Sequence, residues 1–407
     1  MPEVQPSISG VAGFRAVGVR ANIKKNGALD FAAFISDRPC AAAGVFTTSQ
    51  VKAAPVLVDM EHLQRNAGGI RAVVANSGCA NACTGQQGMD NARRMAQLAA
   101  DKIGCAAEDV LVLSTGVIGA QLPMDRIEQG VNLAAESPDN DWLLAATAIM
   151  TTDTRPKMAS VEVTTSSGAT YRIAGVSKGA GMIAPNMATM LSVVVTDVEL
   201  TPDLAKTALR AASEISYNCI VVDGDTSTND TVLLLANGAS GARLETAEDC
   251  EQFQQALNAV CIKLAQDVVR DGEGVTKFIT VRVEGAPDNA AARQIANTIA
   301  VSPLVKTAFY GNDANWGRIV MAAGRAGIPF DQGKMNLWLA AGEQFENSLQ
   351  LLANGMPLDY GEANATAIIS QPSVYILFDC GAGDGAATVW TCDLSHDYVS
   401  INADYRT

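Results

Sequence analysis

The sequence predicts a mixed α/β fold in two domains, with sheets covered by helices rather than a simple doubly wound sheet. Three observations lead there. At 407 residues the chain is long enough for two hydrophobic cores. Hydrophobic residues are 48% and charged residues 18%, a globular balance. Short apolar runs of strand length are mixed with stretches of helical periodicity, and the two do not alternate strictly.

The first 85 residues read as strand-rich: FAAFIS, AAGVFTT, APVLVDM and RAVVANS are short apolar runs separated by turns. MDNARRMAQLAADKIG then brings Met95, Leu98, Ala99 and Ile103 within reach of one helical face. DVLVLSTGVIG reads as a strand, PMDRIEQGVNLAAES as a helix, and SVEVTTSSGATYRIAGV as a hairpin turning at Ser166-Ser167-Gly168. MLSVVVTDV is a buried strand entered from a loop broken by Gly179, Gly181 and Pro185. In TPDLAKTALRAASEIS, Thr201 is the expected N-cap and Pro202 the first helical residue. NCIVVDGD and TVLLLAN look like strands. From Thr246 to Arg270, Leu257, Val260, Leu264 and Val268 recur at helical spacing, and Gly272 ends the segment. A domain boundary is expected near residue 280, where the chain turns strand-rich again with FITVRVEGA, MNLWLAA, NSLQLLANG and SVYILFDCG.

The net charge of -14, without a basic run longer than two residues, argues against nucleic acid or an anionic membrane as a partner. The amino terminus lacks a basic region followed by a short apolar core, so no secretory signal is expected. No stretch reaches the ~18 consecutive apolar residues of a membrane-spanning helix. A cytoplasmic protein is expected. The nine cysteines are odd in number and irregular in spacing, which fits reduced, buried side chains better than disulfides or a zinc site.

Several motifs carry both a chemical and a plain reading. Gly175-Val176-Ser177-Lys178-Gly179 matches the nucleophile elbow, but the glycines and Pro185 oppose the helix it requires, and the chain has only two histidines, His62 and His396. Gly381-Ala382-Gly383-Asp384-Gly385-Ala386 matches a dinucleotide fingerprint, but too little chain follows for a βαβ unit, so a turn or a close backbone approach is the better reading. STGVIG closes a strand with Thr115 and Gly116, a hydroxyl and an N–H able to hold an oxyanion if they face a nucleophile, and otherwise a turn. IMTTDTRPK and VVDGDTSTNDT are polar turns or site rims. Asp223, Asp225 and Asp230 have the right chemistry for magnesium, but nothing fixes a ligand geometry, and no metal is assigned. Glu273, between two glycines, is a solvated carboxylate or the partner of a ligand's amine. Thr189, at the threshold of MLSVVVTDV, is either a capping hydroxyl or a nucleophile.

Together KGAGMIAPNMATML, NSGCANACTG, STGVIG, TTDTRPK, VDGDTSTNDT, GEGVTK and the ending SINADYRT resemble the glutamate N-acetyltransferase (ornithine acetyltransferase) family of arginine biosynthesis, in that family's order and over essentially the whole chain. Cys79 departs from the Asn frequent in NSGNAN, and Thr391 from a frequent Gly; neither is a position of assigned chemistry. The resemblance implies a self-processing αββα sandwich of the Ntn-hydrolase-like type with a smaller carboxy-terminal α/β domain. The chain would cut itself between Ala188 and Thr189. Residues 1–188 would form an alpha chain and 189–407 a beta chain, of which 189–280 completes the sandwich and 281–407 forms the second domain. The two kinds of chain would stay together as an α2β2 heterotetramer.

The freed α-amine of Thr189, with an ordinary pKa of about 7.7–8.0, would take the proton from its own hydroxyl. Thr189 would then receive the acetyl group of N-acetylornithine, release ornithine, and pass the acetyl to glutamate to give N-acetylglutamate. That is a ping-pong cycle with no metal or organic cofactor. The resemblance puts the oxyanion hole on Thr115 and Gly116. It puts substrate binding on Thr152, Lys178, Thr189, Glu273, Asn402 and Thr407, with Lys178 suited to a carboxylate and Glu273 to an ammonium. Acetyl-CoA as a second donor is left open by the residues. The rival reading is an amidase or aminopeptidase of the related self-processing fold, which would pass the acyl group to water.

Overall fold

The computed structural model describes residues 2–184 and 190–404. Thr189, Ala188 and Thr407 therefore lie outside the described residues. The chain divides into two compact units. The first holds most of the chain up to Val268; the second runs from Val269 onward and also takes Cys219–Gly224 and the stretch around Ile183.

The first unit runs β1 (Phe14–Val19), β2 (Phe31–Phe46), α1 (Ala54–Asn66), β3 (Ile70–Cys79), α2 (Gly85–Ile103), β4 (Val110–Val117), α3 (Met124–Glu136), α4 (Trp142–Ala148), β5 (Lys157–Thr164), β6 (Thr170–Lys178), β7 (Leu191–Thr196), α5 (Pro202–Glu214), β8 (Thr231–Ala236) and α6 (Ala247–Arg270). Its strands are ordered β4-β3-β2-β8-β7-β6-β5, with β1 pairing β2 to the side. The long β2 belongs to two sheets. Its first part pairs β1 and β3, the pairing with β3 breaks register between Ile35 and Cys40, and its last part pairs β8. The break contains Pro39, which has no N–H to give a ladder, and the exposed Asp37 and Arg38.

Period-two alternation then builds the layers. Phe34, Val73, Leu111, Val176, Val193 and Leu233, from strands of both sheets, share one buried core. The opposite faces carry helices. Val74 and Val112 pack with Met95 of α2 and Ile127 of α3. On the other sheet, α5 packs against β2 and β8. Gly175 of β6 lies so near α6 that a Cβ there would sit 2.9 Å from Leu264 Cδ1. The result is the expected αββα sandwich. The hairpin at Ser166–Gly168 and the Thr201 cap are present, with Thr201 Oγ1 accepting from Leu204 N at 3.2 Å.

The second unit runs β9 (Phe278–Ala286), α7 (Asn289–Ala300), α8 (Pro303–Tyr310), α9 (Trp316–Gly324), β10 (Asn336–Ala341), β11 (Leu349–Ala353), β12 (Met356–Pro357), α10 (Glu362–Ile369), β13 (Ser373–Asp379), β14 (Gly385–Cys392) and α11 (His396–Ala403). Its sheet is ordered β12-β11-β10-β13-β9-β14. The Gly381–Gly383 motif is the turn between β13 and β14, as expected.

Four expectations are corrected. APVLVDM is the start of helix α1, because a short apolar run does not separate strand from helix, and Pro55 in the first turn with the i,i+4 pair Glu61–Arg65 decides for helix. NCIVVDGD is a 3₁₀ turn and a single bridge, Ile220 to Trp390; the N–H groups of Val222, Asp223 and Gly224 turn to the Ile183 carbonyl instead of a strand partner. The strand-rich reading after residue 280 missed α7 to α10, which are too short to show more than two or three turns of helical period, and α11, which Ser395 caps. Among the cysteines, Cys83 is exposed and Cys105 and Cys250 are half-buried, while the other six are buried as expected.

Helix α1 seals the terminal strand of the sandwich. Asp59 Oδ1 accepts from Val112 N at 2.7 Å, and His62 Nδ1 donates to Val110 O at 2.8 Å, on the side of β4 where the strand order ends among the described residues. Asp59 is fully buried, and its second oxygen has no partner among the described residues. Burial pushes its carboxyl well above the ordinary range, against the pull of the Val112 N–H. A carboxyl whose pKa is raised in the folded state holds its proton more tightly there, so stability falls as pH rises from the unfolded value of about 3.9 through the folded one. Asp59→Asn, which mimics the protonated form, is expected to melt increasingly above the wild type as pH rises from 4 towards neutrality, with the two curves meeting near pH 4. A thermal denaturation series over that range checks it.

Candidate active site

In the first unit the candidate site is built on strand ends. Lys178 is the last residue of β6 and is buried. Its Nζ donates to Thr151 Oγ1 at 2.8 Å and to Thr115 Oγ1 at 3.2 Å, and stands 3.9 Å from Asp153 Oδ2. A Thr115 hydroxyl that accepts from an ammonium keeps its own proton for donation, polarised by the charge behind it.

Asp153 organises the charges. Oδ1 accepts from Lys157 Nζ at 2.7 Å and Gly179 N at 2.6 Å, while Oδ2 accepts from Thr151 N at 2.9 Å. Burial alone would raise its pKa; the ammonium groups of Lys178 and Lys157 and the Lys157 and Thr151 hydrogen bonds outweigh burial and hold the carboxyl below the usual carboxylate range. Lys24 joins from the loop before β2, donating to Leu29 O at 2.9 Å and Met150 O at 2.7 Å. Its own burial pushes that ammonium below its ordinary value; Asp30 opposes the shift and Lys178 adds to it.

Gly116 follows Thr115 near the end of β4 with φ +131, paired to Gly78. A Cβ there would lie 2.4 Å from the Gly78 carbonyl carbon, so only glycine fits. A polar web fixes the same strand end. Asn229 Nδ2 donates to Ser114 O at 2.8 Å and Ala80 O at 2.7 Å, and Ser114 Oγ to Asn76 Oδ1 at 2.7 Å.

The second unit brings two more expected residues together. Asn402 of α11 donates to Glu273 Oε2 at 2.7 Å, and both the start of α11 and the Glu273 loop are tied by Ser395, whose Oγ donates to Gly274 O at 2.6 Å. Tyr398 of α11 donates to Asp223 Oδ2 at 3.2 Å. The helix that precedes Thr407 is thus docked rather than frayed.

Ser177 is no elbow nucleophile. It lies within β6, fully buried, donating to Ser192 Oγ at 2.8 Å, and His62 is committed to β4. Asp223 Oδ1 accepts from Ile183 N and Asp230 Oδ1 from Met190 N, both at 2.9 Å, so both carboxylates hold backbone. Thr152 is half-buried; its neighbour Thr151 is the hydroxyl on Lys178. Sequence reasoning singled out neither Thr151 nor Asp153, although TTDTRPK set a carboxylate just ahead of Lys157. It missed Lys24, for which the sequence carries no signal.

The profile of the ArgJ family matches residues 15–407. The chain belongs to the ArgJ family. The arginine biosynthesis bifunctional protein ArgJ of Thermotoga neapolitana is 47% identical over 397 residues, 97% of this chain and 99% of that protein. Its counterpart from Geobacter sulfurreducens is 48% identical over 401 residues, 98% of this chain and all (100%) of that protein. Among solved structures, the ArgJ protein of Bacillus halodurans is 40% identical, covers 53% of this chain and 99% of its own, and superposes with a TM-score of 0.48. No described helix of this ArgJ family member is long and apolar enough to cross a membrane.

Removing the Asp153 charge leaves the ammonium of Lys157 buried beside a neutral group, a loss of about 3–5 kcal/mol for a broken buried pair. Asp153→Asn is therefore expected to unfold at markedly lower denaturant near neutral pH. Because the folded pKa is depressed, the wild-type advantage is complete above the unfolded value of about 3.9 and fades only as pH falls below it. Urea melts of both proteins at pH 7 and pH 3.5 check both the size and the sign.

Proposed function

We propose that the protein transfers an acetyl group from N-acetylornithine to glutamate through an acetyl-Thr189 intermediate. Membership of the ArgJ family makes it an acyltransferase of arginine biosynthesis. The observation that supports the finer reading is the Lys178–Thr115–Gly116 arrangement: a buried ammonium behind a hydroxyl and a strand end that admits only glycine.

The chain first cuts itself. The Thr189 hydroxyl attacks the Ala188 carbonyl, the C–N bond breaks as the amine takes a proton, and water hydrolyses the ester. Thr189 is left with a free amine that serves as base to its own hydroxyl. The hydroxyl then attacks the acetyl carbonyl of N-acetylornithine, and the negative oxygen of the tetrahedral intermediate is held by the Thr115 hydroxyl and the Gly116 N–H. Ornithine leaves with the proton on its amine, and the amine of glutamate attacks the acetyl-enzyme. Lys178 and Thr152 take the substrate carboxylate, while Glu273, with Asn402, takes an ammonium; Thr407 also contacts substrate. The curated relatives are named bifunctional, and acetyl-CoA is the second donor we assign to the same acetyl-enzyme. Two copies of each cleaved chain remain associated as an α2β2 heterotetramer.

Intact-mass measurement is expected to find two fragments that meet at Ala188/Thr189, and one uncut chain in Thr189→Ala. Wild-type protein should move labelled acetyl from N-acetylornithine to glutamate, and Thr189→Ala should lose this by at least about 10³-fold. Release of free acetate without N-acetylglutamate would turn the reading to the amidase.

A further inference from the structure

We propose that the consecutive residues Asn229 and Asp230 form a positioning brace for acyl transfer, holding the strand end of Thr115 and the strand start that follows Thr189 in one fixed relation. The inference rests on the reading of Thr189 as nucleophile and extends it to residues that reading does not use.

Both contacts are buried side-chain to backbone bonds. Asn229 donates with both protons of one amide nitrogen, to Ser114 O and Ala80 O. The Ser114 carbonyl belongs to the same peptide as the Thr115 N–H, so this amide sets the orientation of the peptide leading into Thr115 and Gly116. Asp230 Oδ1 accepts from the N–H of Met190, whose peptide joins it to Thr189. The grip on Met190 is double, since its carbonyl accepts from Thr231 N at 3.1 Å, continuing the β7–β8 ladder. Asp230 is itself anchored: its carbonyl accepts from Thr47 N at 2.9 Å, and Thr47 Oγ1 donates to Ser227 O at 2.6 Å. Asn229, Asp230 and Thr231 therefore hold a strand end on one side and a strand start on the other.

A plain structural role predicts only lost stability. Two features point further. A backbone ladder would suffice to place β7, yet a buried carboxyl is spent on the one N–H adjoining Thr189, and its Oδ2 is buried without a hydrogen-bond partner among the described residues. Burial also raises that carboxyl well above the ordinary range, against the lowering by the Met190 N–H, Lys178 and Thr47. A positioning error of about 1 Å costs ~10²-fold in rate, which sets the expected size.

The test compares wild type, Thr189→Ala, Asp230→Ala, Asp230→Asn and Asn229→Asp by intact mass, melting temperature, and kcat and KM for acetyl transfer from N-acetylornithine to glutamate. Asp230→Ala is expected to fold and to lose about 100-fold in kcat with KM changed no more than about threefold. Asp230→Asn keeps an oxygen for the Met190 N–H and should restore kcat to within about tenfold of wild type. Asn229→Asp, which cannot donate to two carbonyls, should fall like Asp230→Ala. Wild-type kcat in folded Asp230→Ala or in Asn229→Asp overturns the brace, as does an Asp230→Asn no better than the alanine variant. Should Asp230→Ala not fold, Asn229→Asp and Asp230→Asn decide alone. An active Thr189→Ala would sink the nucleophile reading itself; an inert one beside unimpaired brace variants sinks the brace only.

Discussion

The first unit's site depends on one buried carboxylate, that of Asp153. It lies between the ammonium groups of Lys157 and Lys178 and takes the N–H of Gly179, the first residue of the loop that leads towards Thr189. Two buried cations a few ångströms apart would repel strongly in a medium of low polarity. The carboxylate removes that cost and sets where Lys178 points, and Lys178 then reaches Thr115 and Thr151. An error in the Asp153 loop would therefore pass directly to the candidate oxyanion hydroxyl.

The sandwich serves this arrangement by bringing distant segments to the ends of its central strands. Because β2 crosses from one sheet to the other, β4 and β6 belong to different sheets of one unit, and their ends can face each other. The inner core of Phe34, Val73, Val176 and Val193 fixes the spacing of the sheets. Thr115 and Lys178, 63 residues apart in sequence, meet within hydrogen-bond distance as a result. Polar side chains such as Asn229, Asp230 and Asp59 then take over backbone groups that the ladders leave unpaired, which is why so many buried polar groups surround the strand ends.

The sequence by itself determined strands β3, β4, β7 and β8 and helices α2, α3, α5 and α6 of the sandwich, the hairpin at Ser166–Gly168, the Thr201 cap and the family, because period, turn chemistry and capping are local properties. It pointed to Thr115, Gly116 and Glu273 through the motifs that hold them, and to Lys178 and Asn402 through family resemblance. It misread α1, since a seven-residue apolar run is equally at home in either element, and overlooked the short helices of the second unit. What only the tertiary structure decided was pairing across long separations: Asp153 on Lys178, Asn229 on Ser114, Asp59 on the edge of β4. Such contacts follow from strand order and from the bend in β2, and neither leaves a trace in the spacing of residues along the chain.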